Sequence, residues 1–351
     1  MIAGLDAGRF EHVVVCFTRA GAGTKWLPAH IPVLELGKRP GAQPRFLATL
    51  AATLEPLRPR IIHSHNYATL ARTAIARTLT RTPIHVHSEH SSTLGLPEGS
   101  PLRRELAGWS LRRVDALVAV GEHLREPLAR VARLAPGQIR VIPNGVGPRR
   151  PVSQDERLRL RESIAAGAGS VVIGSVGRLE PVKGYLIAVE TLQRLVASGH
   201  DARLLVIGEG VERAAILERA SRLGVGGRVH LPGVNTDPDP WLAAMDIYLC
   251  SSDSEGLSRA VLEAMSAGLP LVVTDVGDHA RVVGRNARCG LVVPRRDVDS
   301  LAAALMELVG SRDRRIAMGR RAQIRQRRDY DLRAWLDRWN DLYLDLVQGL
   351  T

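Results

Sequence analysis

Glu255 and Glu263 stand eight positions apart in SSDSEGLSRAVLEAMSAGLPLVVTD, residues 251–275. An apolar strand ends near Cys250, a polar loop follows, and a helix is expected to open near Gly256. Eight residues of helix make a little over two turns, so the two carboxylates can reach one elongated ligand at separate points. Carboxylates accept hydrogen bonds from hydroxyls, which suits a ribose or a hexose. Gly256 admits close backbone approach, and the N–H groups of Leu257 and Ser258 at a helix start suit a phosphate or sugar oxygen. Taken alone, Glu255 reads more readily as an acid that complements the helix dipole, and Glu263 as an exposed helix charge. Glu263 lies between Leu262 and Ala264, with Met265 next, and so apolar a helix favours a buried, satisfied carboxylate.

A second group is GSVGRLEPVKGYLIAVE, residues 174–190. Its strand ends on Gly177; Arg178 and Lys183 follow, with Gly184 beside the lysine. Two cations after a strand can neutralise a diphosphate, arginine as a fork and lysine as a point charge; a solvated surface is the ordinary alternative. The segment is neither a Walker loop nor GxGxxG. His85, His87, Glu89 and His90 crowd a third strand end. Alternation puts His85 and His87 on one face, but no second ligand cluster accompanies them, and no metal site is expected. Asp237 and Asp239 have the spacing of an acidic pair but flank Pro238 in a loop after a different strand.

These groups need strands to hold them. HVVVCF, IPVLEL, RIIHSH, PIHVHS, DALVAV and IRVIPN read as strands in the first half, with helical stretches at Phe46–Leu57 and Leu102–Arg113. VVIGSVG, ARLLVIG, RVHLPG, DIYLCSS, LPLVVTD and CGLVVP repeat the plan, with helices at Lys183–Ser198, Glu212–Leu223, Leu257–Ala267 and Asp299–Val309. Such alternation argues for α/β architecture with parallel sheets. The expected organisation is two doubly wound, Rossmann-like domains facing across a cleft: residues 1–147, a polar linker at 148–169, and residues 170–330. An amphipathic helix is expected at 331–351, with Leu332, Leu336, Trp339, Tyr343 and Leu346 spaced at three and four residues and suited to packing. Ligands of open α/β folds bind beyond the carboxyl ends of the strands.

Composition narrows the function. Aromatics are 4% of 351 residues, so aliphatic side chains fill the cores. No apolar run reaches the ~20 residues of a membrane span, and the first residues carry no signal-peptide pattern. Three scattered cysteines fit neither a disulfide framework nor a zinc site, and a cytoplasmic setting is expected. The net charge is +12. Residues 1–150 hold 21 Lys and Arg against 10 Asp and Glu, the remainder 27 against 26. A basic first half suggests an anionic partner. A nucleic acid is not expected, because no interleaved aromatics or helix-turn-helix pattern accompany the charge. An anionic membrane surface, met peripherally on the inner face of the cytoplasmic membrane, and a phosphorylated acceptor remain, with an Arg-rich solvated surface as an equal alternative.

VGRLEPVKG, GEG at 208–210 and SEGLSRAVLEAMSAGLPLVVTD together resemble the family 4 retaining glycosyltransferases of GT-B fold. IIHSHN (61–66), SEHSS (88–92) and VIPNGV (141–146) resemble that family's strand-end motifs more loosely. The resemblance implies transfer of a sugar, with retention and without a metal or other cofactor, from a nucleoside-diphosphate sugar to a sugar or lipid-linked acceptor. It implies Arg178 and Lys183 on the diphosphate, Glu263 on the ribose, and Glu255 on the transferred sugar with the backbone of Gly256 and Leu257 and with Ser258 nearby. It implies that His90 lies near the sugar, that His65, Asn66 and Gly208 face the cleft, that Asn144 and Gly145 shape its edge, that Gly177 belongs to the donor turn, and that the helix at 331–351 crosses back onto the first domain. The family opens with a strand, a glycine-rich loop and a helix that precede the equivalent of RFEHVVVCF, so one βα unit is expected to be missing here. A nucleotide-sugar epimerase of the same architecture and an inactive homologue are the competing readings.

Overall fold

Apolar runs of two to six residues become parallel strands, and the longer amphipathic stretches between them become helices. The computed structural model describes residues 1–39, 41, 45–90, 101–235, 237–284 and 289–350. They form two units, one of Met1–Pro143 with Arg333–Thr351, the other of Asn144–Leu332.

In the first unit β1 (Val14–Cys16) pairs with β2 (Val33–Glu35), α1 (Arg45–Leu54) follows, and β3 (Ile61–His65) leads into α2 (Tyr67–Thr80). Then come β4 (Ile84–Glu89), α3 (Pro101–Leu111), β5 (Ala116–Ala119), α4 (Arg125–Ala132) and β6 (Arg140–Val141). The strands lie in two separate parallel sheets among the described residues, β1-β2 and β3-β4-β5-β6. Phe46, Leu50 and Leu54 recur every four residues along α1 and pack with Ala76 of α2 and with Val15, Phe17, Leu36 and Ile62. The last helix, α13 (Leu332–Gln348), covers Ile84, Val86 and Val118 through Trp339, Leu342 and Tyr343.

The second unit begins with α5 (Gln154–Ser163) and β7 (Val171–Val176), α6 (Tyr185–Ala197), β8 (Ala202–Ile207), α7 (Arg213–Arg222) and β9 (Val229–Gly233). It continues with α8 (Asp239–Ala244), β10 (Ile247–Cys250), α9 (Arg259–Ser266), β11 (Leu271–Thr274), α10 (His279–Val283) and β12 (Gly290–Val293). It ends with α11 (Val298–Val309) and α12 (Arg312–Asp329), and α13 (Leu332–Gln348) closes the chain. All strand pairs are parallel, in the order β12-β11-β10-β7-β8-β9. Counted from β7, that is the order 3-2-1-4-5-6 of a dinucleotide-binding fold read from the other edge, and the connectivity reverses between β7 and β10.

Two expectations need correction. Residues 148–169 are not a linker: they carry α5, which belongs to the second unit. Arg161 is 6% exposed; its guanidinium donates to Asp246 Oδ2 at 2.8 Å and to the carbonyls of Ala244 and Ser170 at 2.9 and 2.6 Å. Arg157 donates to the Ala243 carbonyl at 2.8 Å. Buried Arg161 and half-buried Arg157 fasten the segment, which composition cannot distinguish from solvation. The first unit accordingly ends at Pro143 and not at residue 147, since Val146 donates to the Tyr330 carbonyl and Gly147 accepts from Ser266, both at distances of hydrogen bonds and both in the second unit.

Candidate functional site

The switch point of the second unit lies between β7 and β10, whose pairing runs from Ile247 opposite Ile173 to Tyr248 opposite Gly174. The two motifs richest in candidate residues follow these two strands. Beyond β7 the chain passes Gly177, Arg178 and a 3-10 turn, Pro181–Lys183, then Gly184 in a left-handed conformation at φ +66°, and enters α6. A Cβ on Gly184 would stand 2.3 Å from the Ser251 carbonyl oxygen, so only glycine lets the two loops touch. The GEG turn is just as close: a Cβ on Gly208 would fall 1.9 Å from the Gly177 carbonyl oxygen.

The loop after β10 is held on several sides. Ser251 Oγ donates to the Lys183 carbonyl at 2.9 Å, and Asp253 N–H to that of Val182 at 2.8 Å. Arg296 bonds the Asp253 carboxylate at 2.6 and 2.8 Å. Asn144 Nδ2 donates to the Leu257 carbonyl at 3.0 Å, which puts Asn144 of the PNGV run, with buried Gly145 next to it, against this loop. Lys183 Nζ lies 2.6 Å from Glu255 Oε1, which also accepts from Ser252 Oγ at 2.7 Å. Two sequence candidates from separate motifs are thus in direct contact, with side chains 22% and 11% exposed.

The other candidates are placed differently. Arg178 is 72% exposed and pairs with Glu180. Glu263 is partly exposed, not fully buried, and accepts from Arg259 one helical turn earlier at 3.0 Å. The helix opens at Arg259, three residues later than expected, with Ser258 as its N-cap. The N–H groups of Leu257 and Ser258 therefore belong to the loop and not to the first turn, while Gly256, Leu257 and Ser258 are buried in it. Asp237 and Asp239 are engaged by arginines: Arg150 reaches Asp237 at 2.8 Å and Arg149 reaches Asp239 at 3.1 Å.

Beneath Glu255 lies a layer that sequence reasoning missed. Cys250 Sγ is 3.4 Å from Ser252 Oγ and 3.9 Å from His279 Nε2, and His279 Nδ1 donates to the Thr274 carbonyl at 2.9 Å. Burial opposes a charge on His279, but Cys250 and the Thr274 carbonyl outweigh it and raise its pKa to about 9. Burial likewise pushes the Cys250 thiol up, and His279 reverses this and draws it below its ordinary value. Tyr185 and Tyr248 are buried nearby, with Tyr248 Oη 3.4 Å from the Val176 backbone, and burial raises both phenols. Cys250 and His279 are 29 positions apart, and no motif spacing links them.

In the first unit the strand ends gather histidines. Ser64 Oγ sits 2.8 Å from both His85 Nε2 and His87 Nδ1. His63 bonds Ser88 Oγ at 2.7 Å and Tyr343 Oη of α13 at 2.5 Å. His65 Nδ1 and His90 Nε2 are 3.1 Å apart, and the Glu89 carboxylate accepts the His90 N–H at 3.1 Å. Burial lowers the pKa of His90. Asn66, between β3 and α2, has φ +62° and ψ 152°, a strained conformation for a residue with a side chain and one that concentrates at functional sites. Ser91 and Ser92 of the SEHSS run lie outside the described residues.

The family described as Glycosyltransferase Family 4 matches residues 1–150, and the one described as Glycosyl transferases group 1 matches residues 170–311. Among curated proteins, the lipopolysaccharide core biosynthesis glycosyltransferase LpsE of Rhizobium meliloti is 32% identical over 52% of this chain and 51% of its own length. The UDP-Gal:alpha-D-GlcNAc-diphosphoundecaprenol alpha-1,3-galactosyltransferase of Escherichia coli is 25% identical over 86% of this chain and 80% of its own. The chain spans about half to three fifths of the length of the first curated relatives it matches. Among solved structures, HepE of Anabaena in complex with UDP superposes with a TM-score of 0.81 at 20% identity, covering 95% of this chain and 92% of that one. Sucrose-phosphate synthase of Thermosynechococcus elongatus gives 0.79 at 18% identity, covering 98% and 90%.

Proposed function

The chain belongs to the group 1 glycosyl transferases of family 4 and has their GT-B fold, and from that premise we propose that it moves a sugar from a nucleoside-diphosphate sugar to an acceptor, with retention at the anomeric carbon and without a metal ion. The observation that carries this reading is the Lys183–Glu255 contact of 2.6 Å at the β7/β10 switch point. It puts a cation suited to the diphosphate beside a carboxylate suited to sugar hydroxyls.

In this reading Arg178 and Lys183 meet the charge that grows on the diphosphate as the sugar–oxygen bond breaks, which is electrostatic stabilisation by preset groups. Glu263 accepts from the ribose hydroxyls, and Glu255 and the loop backbone hold the sugar. His90, 3.1 Å from His65, is the first unit's own candidate catalytic residue. Arg149 and Arg150 occupy Asp239 and Asp237, which favours arginine and lysine over a metal as the diphosphate's counter-charge.

The acceptor is a sugar or a lipid-linked sugar of polysaccharide or glycolipid synthesis, a reading supported by the names of the relatives above. Among the described residues no helix is long and apolar enough to cross a membrane. The basic excess of residues 1–150, 21 Lys and Arg against 10 Asp and Glu, supports peripheral contact with a lipid-linked acceptor at the inner face of the cytoplasmic membrane.

The test is incubation with a panel of UDP- and GDP-hexoses, with and without a diphosphate-lipid sugar acceptor, with product anomers read by NMR and EDTA as a control. Transfer with an unchanged anomeric configuration that survives EDTA is expected. An isomerised donor formed without acceptor would establish the epimerase reading. An inverted product, or activity lost to EDTA and restored by manganese, would overturn the mechanism.

A further inference from the structure

Hydrogen counting around Glu255 gives the buried layer a direction. A carboxylate only accepts, so Ser252 spends its one hydroxyl hydrogen on Glu255 Oε1 at 2.7 Å. Ser252 Oγ is then an acceptor toward Cys250, whose Sγ at 3.4 Å must supply S–H. The sulfur in turn accepts from His279 Nε2–H at 3.9 Å, while Nδ1–H donates to the Thr274 carbonyl at 2.9 Å. His279 therefore carries both ring hydrogens.

We propose that Cys250 and His279 are positioning residues for Glu255, acting through Ser252 in one directed hydrogen-bond chain that starts at the Thr274 carbonyl and ends at the carboxylate. The proposal rests on the donor-site reading above. The chain is closed from solvent: Cys250 is 6% exposed, Ser252 1%, His279 1% and Thr274 0%. Thr274 also holds the loop directly, its hydroxyl donating to the Ser252 carbonyl at 2.6 Å. Ionisable groups face the sulfur from every side: His279 of α10, Tyr248 of its own strand, Tyr185 of α6 and Glu255 of the loop, with Lys183 behind Glu255. Burial keeps both phenols neutral, so the ionisation that can break the chain at alkaline pH is that of the Cys250–His279 pair. A thiolate would draw the Ser252 hydrogen to sulfur and away from Glu255.

The reason for the device is geometric. Lys183 grips the same oxygen, Oε1, that Ser252 does. When the donor diphosphate competes for Lys183, Ser252 is the remaining side chain bonded to that oxygen among the described residues and keeps the carboxylate oriented toward the sugar. Cys250 and His279 fix Ser252 in that role.

The experiment compares Cys250→Ser, Cys250→Val and His279→Gln with wild type. The serine variant keeps a donor and acceptor; the valine variant fills the space and keeps neither. With the nucleotide sugar that the panel selects, Cys250→Val and His279→Gln should lose about tenfold or more in kcat, as expected for a displaced bond to a charged group. Cys250→Ser should stay within about threefold of wild type, and UDP affinity should be unchanged throughout, because UDP carries no sugar for Glu255 to hold. The alkaline limb of the wild-type pH profile should move upward in Cys250→Ser, which has no thiol to ionise. Valine performing as well as serine would reduce Cys250 to a packing residue and overturn the proposal. Nitrogen-15 NMR of histidine-labelled protein supplies a readout without turnover: His279 should be doubly protonated at neutral pH in wild type and lose that state in Cys250→Val. A neutral His279 in wild type also overturns it. If no nucleotide sugar binds wild type, the donor-site reading fails, and the NMR alone decides whether the pair exists.

Discussion

Arg178 and Lys183 stand out among the residues because their surroundings differ although their expected role is shared. Arg178 is 72% exposed beside Glu180, while Lys183 is 22% exposed against Glu255. Either residue changed to alanine should weaken UDP binding by about 1.5–3 kcal/mol, the scale of a hydrogen bond to a charge. Lys183→Ala should cost more, since it also leaves Glu255 facing the diphosphate without its counter-charge. Calorimetry with UDP checks this, and an unchanged affinity in the double variant would remove both from the diphosphate. His85 offers a second test at this scale. It is fully buried, and burial first, then His87 and Arg77, lower its pKa from 6.5 to about 3. The fold thus favours neutral His85, so its stabilisation is complete above pH 6.5 and is lost progressively as pH falls from there toward 3. His85→Gln, which cannot ionise, should lower stability at pH 8 yet flatten the decline below pH ~6.5 by about one proton's worth, some 1.4 kcal/mol per pH unit. Denaturation midpoints taken from pH 8 to 4 measure the slope; an unaltered slope would show that His85 does not titrate on unfolding.

Among elements, α5 depends most on a single contact. Arg161 bonds Asp246 and two carbonyls from a buried position, and Asp246 also accepts the Val172 N–H at 2.8 Å. One salt-bridged carboxylate therefore ties α5 to the start of both β7 and β10, the two strands that present the site. Arg161→Leu leaves Asp246 paired with the partly exposed Arg157 at 3.4 Å. A loss of about 3 kcal/mol is expected, since removing one partner of a buried pair exposes the other's desolvation cost. A urea titration that shows less than ~1 kcal/mol would mean that α5 is merely laid on the surface. The GEG turn is the other element-scale determinant: Gly208→Ala forces a Cβ against the Gly177 carbonyl and should lower stability and UDP affinity together.

At the scale of the whole molecule, charge divides less sharply than the linear halves suggest. Helix α13 carries Asp337, Asp341 and Asp345 into the first unit, leaving it 21 Lys and Arg against 13 Asp and Glu, while the second unit has 27 against 23. The excess remains larger in the first unit, +8 against +4. Co-sedimentation should therefore require anionic vesicles and fade as salt is raised; equal binding to neutral vesicles would show that charge does not drive it. Folding and ligand are linked at this scale as well. UDP at 100 times its Kd should stabilise the folded chain by about 2.7 kcal/mol, seen as a rise in Tm that Arg178→Ala and Lys183→Ala diminish.

The sequence by itself determined the element types and the family. Short continuous apolar runs marked all six strands of the second unit, and the glycine, cation and glutamate spacings marked the loops after β7 and β10, because these signals are local in the chain. Helix ends were legible to within a few residues; α9 opens late because Ser258, and not Gly256, caps it. Two matters were decided only by tertiary structure. The polar stretch 148–169 became α5 because Asp246, far along the chain, receives its arginines. The Cys250–Ser252–His279 layer under Glu255 exists because β10 and β11 lie side by side, bringing a strand-end cysteine to a histidine 29 positions away. Pairings of that kind carry no period and no fixed spacing, so the sheet order alone creates them.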